Sequence, residues 1–139
     1  MAIQWTEDLA TRVDEIDTQH KEIFERINRL LESCNRGRGK NEVGDVIKFL
    51  EDYVVMHFGT EEKYMTKYDY PEYPSHKAQH IEFVINFSRL KKQFEQDGPG
   101  VHVVVNVNHM VVEWLKNHIR KVDTALGAFL KTKFISPSP

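Results

Sequence analysis

The sequence predicts an all-α protein: an up-down antiparallel four-helix bundle with an N-terminal arm and a short C-terminal helix. Three observations lead there. Apolar residues recur at three-and-four spacing through four long stretches. Breakers separate those stretches: Gly37 and Gly39, the YDYPEYP segment with Pro71 and Pro74, and the loop Asp97-Gly98-Pro99-Gly100. The one run with strand propensity, Val101 to Val107, has no second strand to pair with.

Residues 1–16 are mixed in pattern and read as an arm, in which Trp5 and Val13 can pack on the domain. The first helix is expected to begin near Asp17 or Thr18, either of which can cap it. It carries Ile16, His20, Ile23, Phe24, Ile27, Leu30, Leu31 and Cys34 on one face and ends at Gly37 and Gly39. The second runs from about Asn41 to Thr66, with a stripe of Val43, Val46, Ile47, Leu50, Val54, His57, Glu61 and Met65. The third begins near Ser75, a possible cap, and presents His76, His80, Phe83, Val84, Phe87, Leu90 and Phe94. In the fourth, the spacing of Val104, Val107, Val111, Trp114, Leu115, His118 and Val122 favours helix over strand. A fifth, short helix, about Thr124 to Lys133, would lay Leu126, Phe129 and Leu130 against the bundle.

Composition excludes several function classes. The 139 residues suffice for one domain with a sizeable core, assigned to 1–135, with 136–139 (SPSP) as a disordered tail. A net charge of -2 with scattered basic residues leaves no footprint for nucleic acid. Cys34 stands alone, which excludes an internal disulfide and suits a reducing, cytoplasmic setting; its ordinary role is a small core residue. The N-terminus has no signal-like pattern, and no apolar run nears the roughly 20 residues of a membrane span.

Chemistry enters where the helices meet. His57 and Glu61 are four apart, as are His76 and His80, so each pair shares a helix face to within about 40°. In an up-down bundle the starts of the first and third helices and the ends of the second and fourth lie at one end. His20, His57, Glu61, His76, His80, His118 and Asp123 therefore converge on one core layer. Any one of these histidines alone is most simply a surface or satisfied core residue. A buried cluster with two uncompensated carboxylates would cost several kcal/mol each, more than a marginal domain carries, and a metal removes that cost. Imidazole with carboxylate suits iron, zinc, copper or nickel. Seven donors exceed what one ion takes, and two carboxylates can bridge a pair together with a solvent-derived hydroxide. Five histidines then divide three to two, which leaves one metal with an open position.

Two details test this geometry. His102 and His109 lie about 160° and 180° round the helix from His118 and should face outward, without function. Asp123 follows His118 by five residues, about 140° away on an ideal helix, so the helix must either end between them or widen into a π-type turn.

The segments IDTQH (Ile16 to His20), HFGTE (His57 to Glu61), HKAQH (His76 to His80) and HIRKVD (His118 to Asp123) resemble the motif set of hemerythrins, single-domain bacterial ones most of all. The likeness runs from about Trp5 to Phe134. It implies two non-haem iron ions with a bridging oxo or hydroxo group, binding O2 reversibly. By that analogy His76, His80 and His118 hold the saturated iron, His20 and His57 the open one, and Glu61 and Asp123 bridge. Positions matching the family's apolar O2 pocket are Ile23, Phe58, Trp114 and Leu115, which also serve as ordinary core. The expected role is O2 transport, storage or delivery within the cell by a monomer, to an O2-consuming enzyme, rather than catalysis. The alternatives are sensing through a partner protein and a di-iron oxidase or peroxidase. Against the oxidase, no Glu here has a His three residues later, the pairing that carboxylate-rich di-iron enzymes use.

Overall fold

The computed structural model describes residues 3–134, and among them every regular element is helical. A 3₁₀ turn at Glu7–Leu9 precedes α1 (Asp14–Asn35), α2 (Lys40–Lys67) and α3 (Tyr73–Asp97). The fourth rod, 101–134, is continuous: α4 (Val101–Asn106), a π-helical stretch Val107–Glu113, α5 (Trp114–His118), a second π stretch Ile119–Asp123, and α6 (Thr124–Phe134). The expected C-terminal helix is therefore present as the end of the fourth rod, not as a separate element. The tail assigned to 136–139 lies outside the described residues.

Local chemistry explains the boundaries, including two that the sequence reading missed. Helix α1 starts three residues before Asp17, with Asp14, Glu15 and Asp17 all in its first turn, where carboxylates suit the helix dipole. Asp17 caps nothing in its own helix. Its carboxylate accepts the backbone N–H groups of Thr11 (2.8 Å) and Arg12 (3.2 Å), stabilising a turn in which Arg12 is left-handed, φ 70°. Helix α3 likewise starts before Ser75, because Pro74 falls in its first turn, where a missing N–H costs nothing. Gly37, at φ 67°, ends α1 through paired bonds from Gly37 N to Cys34 O and Arg38 N to Ser33 O.

The fourth rod buries Val103, Val107, Val111, Leu115 and Ile119, each four residues on from the last. On a straight α-helix a four-residue step drifts about 40°, so this stripe would wander off the core. Wider π turns hold it in line. The same adjustment exposes the limits of an ideal-helix reading: Val104, Trp114 and Val122, expected in the stripe, are only half-buried, and so is His102, expected outside. Val84 of α3 is also exposed, and Cys34 is half-buried.

Two apolar clusters result. The larger joins all four rods and includes Ile23, Leu50, Phe58, Phe83, Phe87 and Leu115; Trp5 packs on it. The smaller gathers Val13, Ile16, Met65, Tyr70, Leu126 and Leu130 beneath the arm and the α2–α3 turn. The polar layer lies between them. No described helix is long and apolar enough to cross a membrane.

Candidate metal centre

All seven predicted donors meet in the layer between the clusters, each at most 3 % exposed. One turn of each rod supplies them, and the second π stretch, Ile119–Asp123, brings Asp123 onto the face of His118. The sequence had allowed a helix end or a π turn there, and the chain takes the π turn.

The seven side chains form two overlapping groups. His76, His80 and His118 gather on one side, His20 and His57 on the other, and Glu61 and Asp123 belong to both. The carboxylate oxygens divide accordingly. Glu61 Oε1 faces His76 (3.1 Å) and His80 (3.0 Å), while its Oε2 faces His57 (3.1 Å) and His20 (3.5 Å). Asp123 Oδ1 faces His76 (3.0 Å) and His118 (3.1 Å), and its Oδ2 faces His20 (3.0 Å). Every one of these contacts is made by the histidine's Nε2.

This donor set fits a pair of transition-metal ions. Two ligands each about 2.1 Å from one ion and at right angles lie about 3.0 Å apart, close to these spacings. The buried atoms His57 Nε2, His118 Nε2, His20 Nε2, Glu61 Oε2 and both Asp123 oxygens also lack any hydrogen-bond partner among the described residues. A protein leaves such atoms unpaired at high cost unless something else binds them.

Without metal, protons do part of that work. Burial pushes the His20 and His76 imidazoles down, but the carboxylates of Asp123 and Glu61 outweigh it and raise both to about 9. Burial wins at His57, which is lowered. Burial would raise Glu61 and Asp123, yet the facing imidazoles hold both below the usual carboxylate range.

A layer of support stands behind the ligands, and the sequence reading gave it no role. The outer nitrogen of His57 donates to Gln19 Oε1 (2.7 Å), whose own amide reaches Thr60 Oγ1 (3.2 Å). His118 Nδ1 donates to Gln79 Oε1 (2.8 Å) and His80 Nδ1 to Glu62 Oε2 (3.0 Å). Each bond fixes the tautomer that turns the Nε2 lone pair inward. A signal was available: Gln19 and Gln79 each immediately precede a ligand histidine, and Glu62 follows Glu61.

The four positions expected to line an apolar pocket are distributed less evenly. Ile23 and Leu115 are fully buried, and Phe58 stacks on His80 at 3.9 Å between ring centres. Trp114 is half-buried, lies flat on His118 at 4.6 Å, and donates its indole N–H to Glu82 at 2.9 Å. Both aromatic residues thus brace the three-histidine side. Of the two histidines expected to face outward, His109 is exposed beside Glu113.

Fold and site together define a class: helical bundles with a histidine-rich pocket shaped for two metal ions that share carboxylates. The chain belongs to the hemerythrin family, since residues 11–130 match the hemerythrin HHE cation binding domain. It is 38% identical over 127 residues to a bacteriohemerythrin of Methylococcus capsulatus, covering 91% of this chain and 95% of that one. A bacteriohemerythrin of Pseudomonas aeruginosa is 34% identical over 119 residues, or 86% of this chain and 75% of the relative. A crystal structure of wild-type hemerythrin superposes with a TM-score of 0.82 at 36% identity, covering 92% and 97% of the two chains.

Proposed function

We propose that this chain binds O2 reversibly at two non-haem irons held by His20, His57, Glu61, His76, His80, His118 and Asp123, and that it carries, stores or delivers O2 within the cell. One observation carries the reading: each carboxylate turns one oxygen toward the group of His76, His80 and His118 and the other toward the group of His20 and His57. Two bridging carboxylates account for that division, and a single metal ion does not. Membership of an O2-binding family that is not enzymatic supports carriage over catalysis.

The residues then have distinct tasks. His76, His80 and His118 complete the donor set of one ion. His20 and His57 would leave the other one donor short, and a small end-on ligand would bind at that ion. Two irons, once bound, lend O2 two electrons and recover them on release. The chain's part is to keep that exchange reversible. Ile23, Phe58 and Leu115 fill the space beside the ligands with apolar groups, so that water and protons, which would strip the bound ligand, are kept out. Gln19 holds His57 in the tautomer that faces inward. Residues 1–135 act as one such domain, a monomer whose recipient is an O2-consuming enzyme.

The test is an oxygenation cycle on iron-loaded protein. Optical spectra under argon, then air, then argon again should show a charge-transfer band that appears and disappears, at two irons per chain. Oxidation that argon does not reverse, with turnover of an added substrate, would make the protein an enzyme instead.

A further inference from the structure

Three of the five inward-facing imidazoles have a hydrogen-bond acceptor on the outer nitrogen, and those acceptors differ in charge. His57 and His118 donate to the neutral amides of Gln19 and Gln79, whereas His80 donates to the carboxylate of Glu62 at 3.0 Å. Glu62 is 25% exposed, and among the described residues no Lys or Arg pairs with it. With His80 it borders a surface cavity of about 420 Å³ walled mainly by Val55, Phe58, Ile81 and Val84, with Lys77 also on its lining. One side of the Glu62–His80 pair is therefore largely apolar, and a charge is screened less there than in open water.

We propose that Glu62 tunes the redox balance of the metal pair through His80, and so sets O2 affinity from the three-histidine side, away from where O2 binds. This rests on the function proposed above. A carboxylate acceptor draws the Nδ1 proton outward and makes the ring a stronger donor at Nε2. Stronger donation favours the higher oxidation state of the ion that His80 holds. Binding O2 takes one electron from each ion and release returns both, so the donor strength of either ion bears on the equilibrium. Glu62 makes the oxidised pair more stable, tightening O2 and lowering the reduction potential. Neutral amides at Gln19 and Gln79 leave the other rings weaker donors, so the two ions are unequal in charge donation as well as in histidine count.

Glu62→Gln isolates the charge, because the amide oxygen still accepts from His80. Gln79→Glu makes the converse change on His118, which faces the same ion. Spectroelectrochemical titration should give a raised reduction potential for Glu62→Gln and a lowered one for Gln79→Glu. O2 release should speed up about tenfold in the first and slow in the second. The double variant, which moves the charge from one ring to the other, should return near the parent on both measures. Potentials and release rates that stay at the parent values in both single variants, with two irons per chain and a normal oxygenation cycle, would overturn this role and leave O2 binding intact. A parent protein that shows no oxygenation cycle would overturn both.

Discussion

At the scale of single residues, the proposed site should exchange protons for metal. His20 and His76 are raised from 6.5 to about 9 when no metal is bound, so both are protonated at neutral pH. A metal ion needs their lone pairs and must release those protons. Iron(II) uptake at pH 7 should therefore acidify a weakly buffered solution, and affinity should climb as pH rises toward 9; a pH-independent affinity would contradict this. The sign for stability is opposite. A raised histidine pKa contributes stability that is complete below 6.5 and disappears as pH rises through about 9. The metal-free protein should accordingly unfold at lower urea as pH is raised across that window.

The ligands also differ in consequence. His57→Ala should impair O2 binding at the ion with fewer donors more selectively than His80→Ala does, as read by oxygenation spectra on iron-loaded variants. Full reversible binding in both would show the assignment of histidines to ions to be wrong. Behind the ligands, Gln19→Leu removes the acceptor for His57 Nδ1 and should weaken metal binding about 10–100-fold, measured by competition with a chelator.

At the scale of elements, the fourth rod shows how much of the site could be read from sequence. The five-residue gap from His118 to Asp123 marks a departure from ideal helix, and it appears as the π stretch Ile119–Asp123. The other π stretch, Val107–Glu113, carries no such marker, because a run of valines gives no landmark against which to measure a phase shift. That is why His102 and Val104 were placed on the wrong degree of burial while His118 was not. The arm was opaque for a different reason: several of its contacts lie more than a hundred residues away in sequence. Leu9 is fully buried, Asp8 pairs with Arg120 of the π stretch at 2.8 Å, and the backbone of Thr11 crosses α6 at Gly127. A Cβ at Gly127 would lie 2.2 Å from the Thr11 carbonyl oxygen, which a flexible side chain could evade but backbone cannot. Gly127→Ala should cost about 1–3 kcal/mol in urea unfolding by lifting the arm. A substitution without effect there would mean that the arm does not dock as described.

At the scale of the whole molecule, the four rods are tied together twice over. Two apolar clusters lie on either side of the polar layer, and one turn from each rod brings the proposed metal donors together within it. The fold was legible because its helices are amphipathic and its breakers fall between them. The seven donors were legible because antiparallel packing sends alternate helix ends to one level. The sharing of the two carboxylates between the histidine groups was legible as a bridge; which oxygen of each faces which group was not, because that depends on side-chain rotamers. That sharing is the centre of the account, and it specifies where the ions sit. Anomalous diffraction at the iron edge from crystals of iron-loaded protein should give two peaks per chain, one among His76, His80 and His118 and one beside His20 and His57, both in contact with Glu61 and Asp123. A single peak, or none, would contradict it.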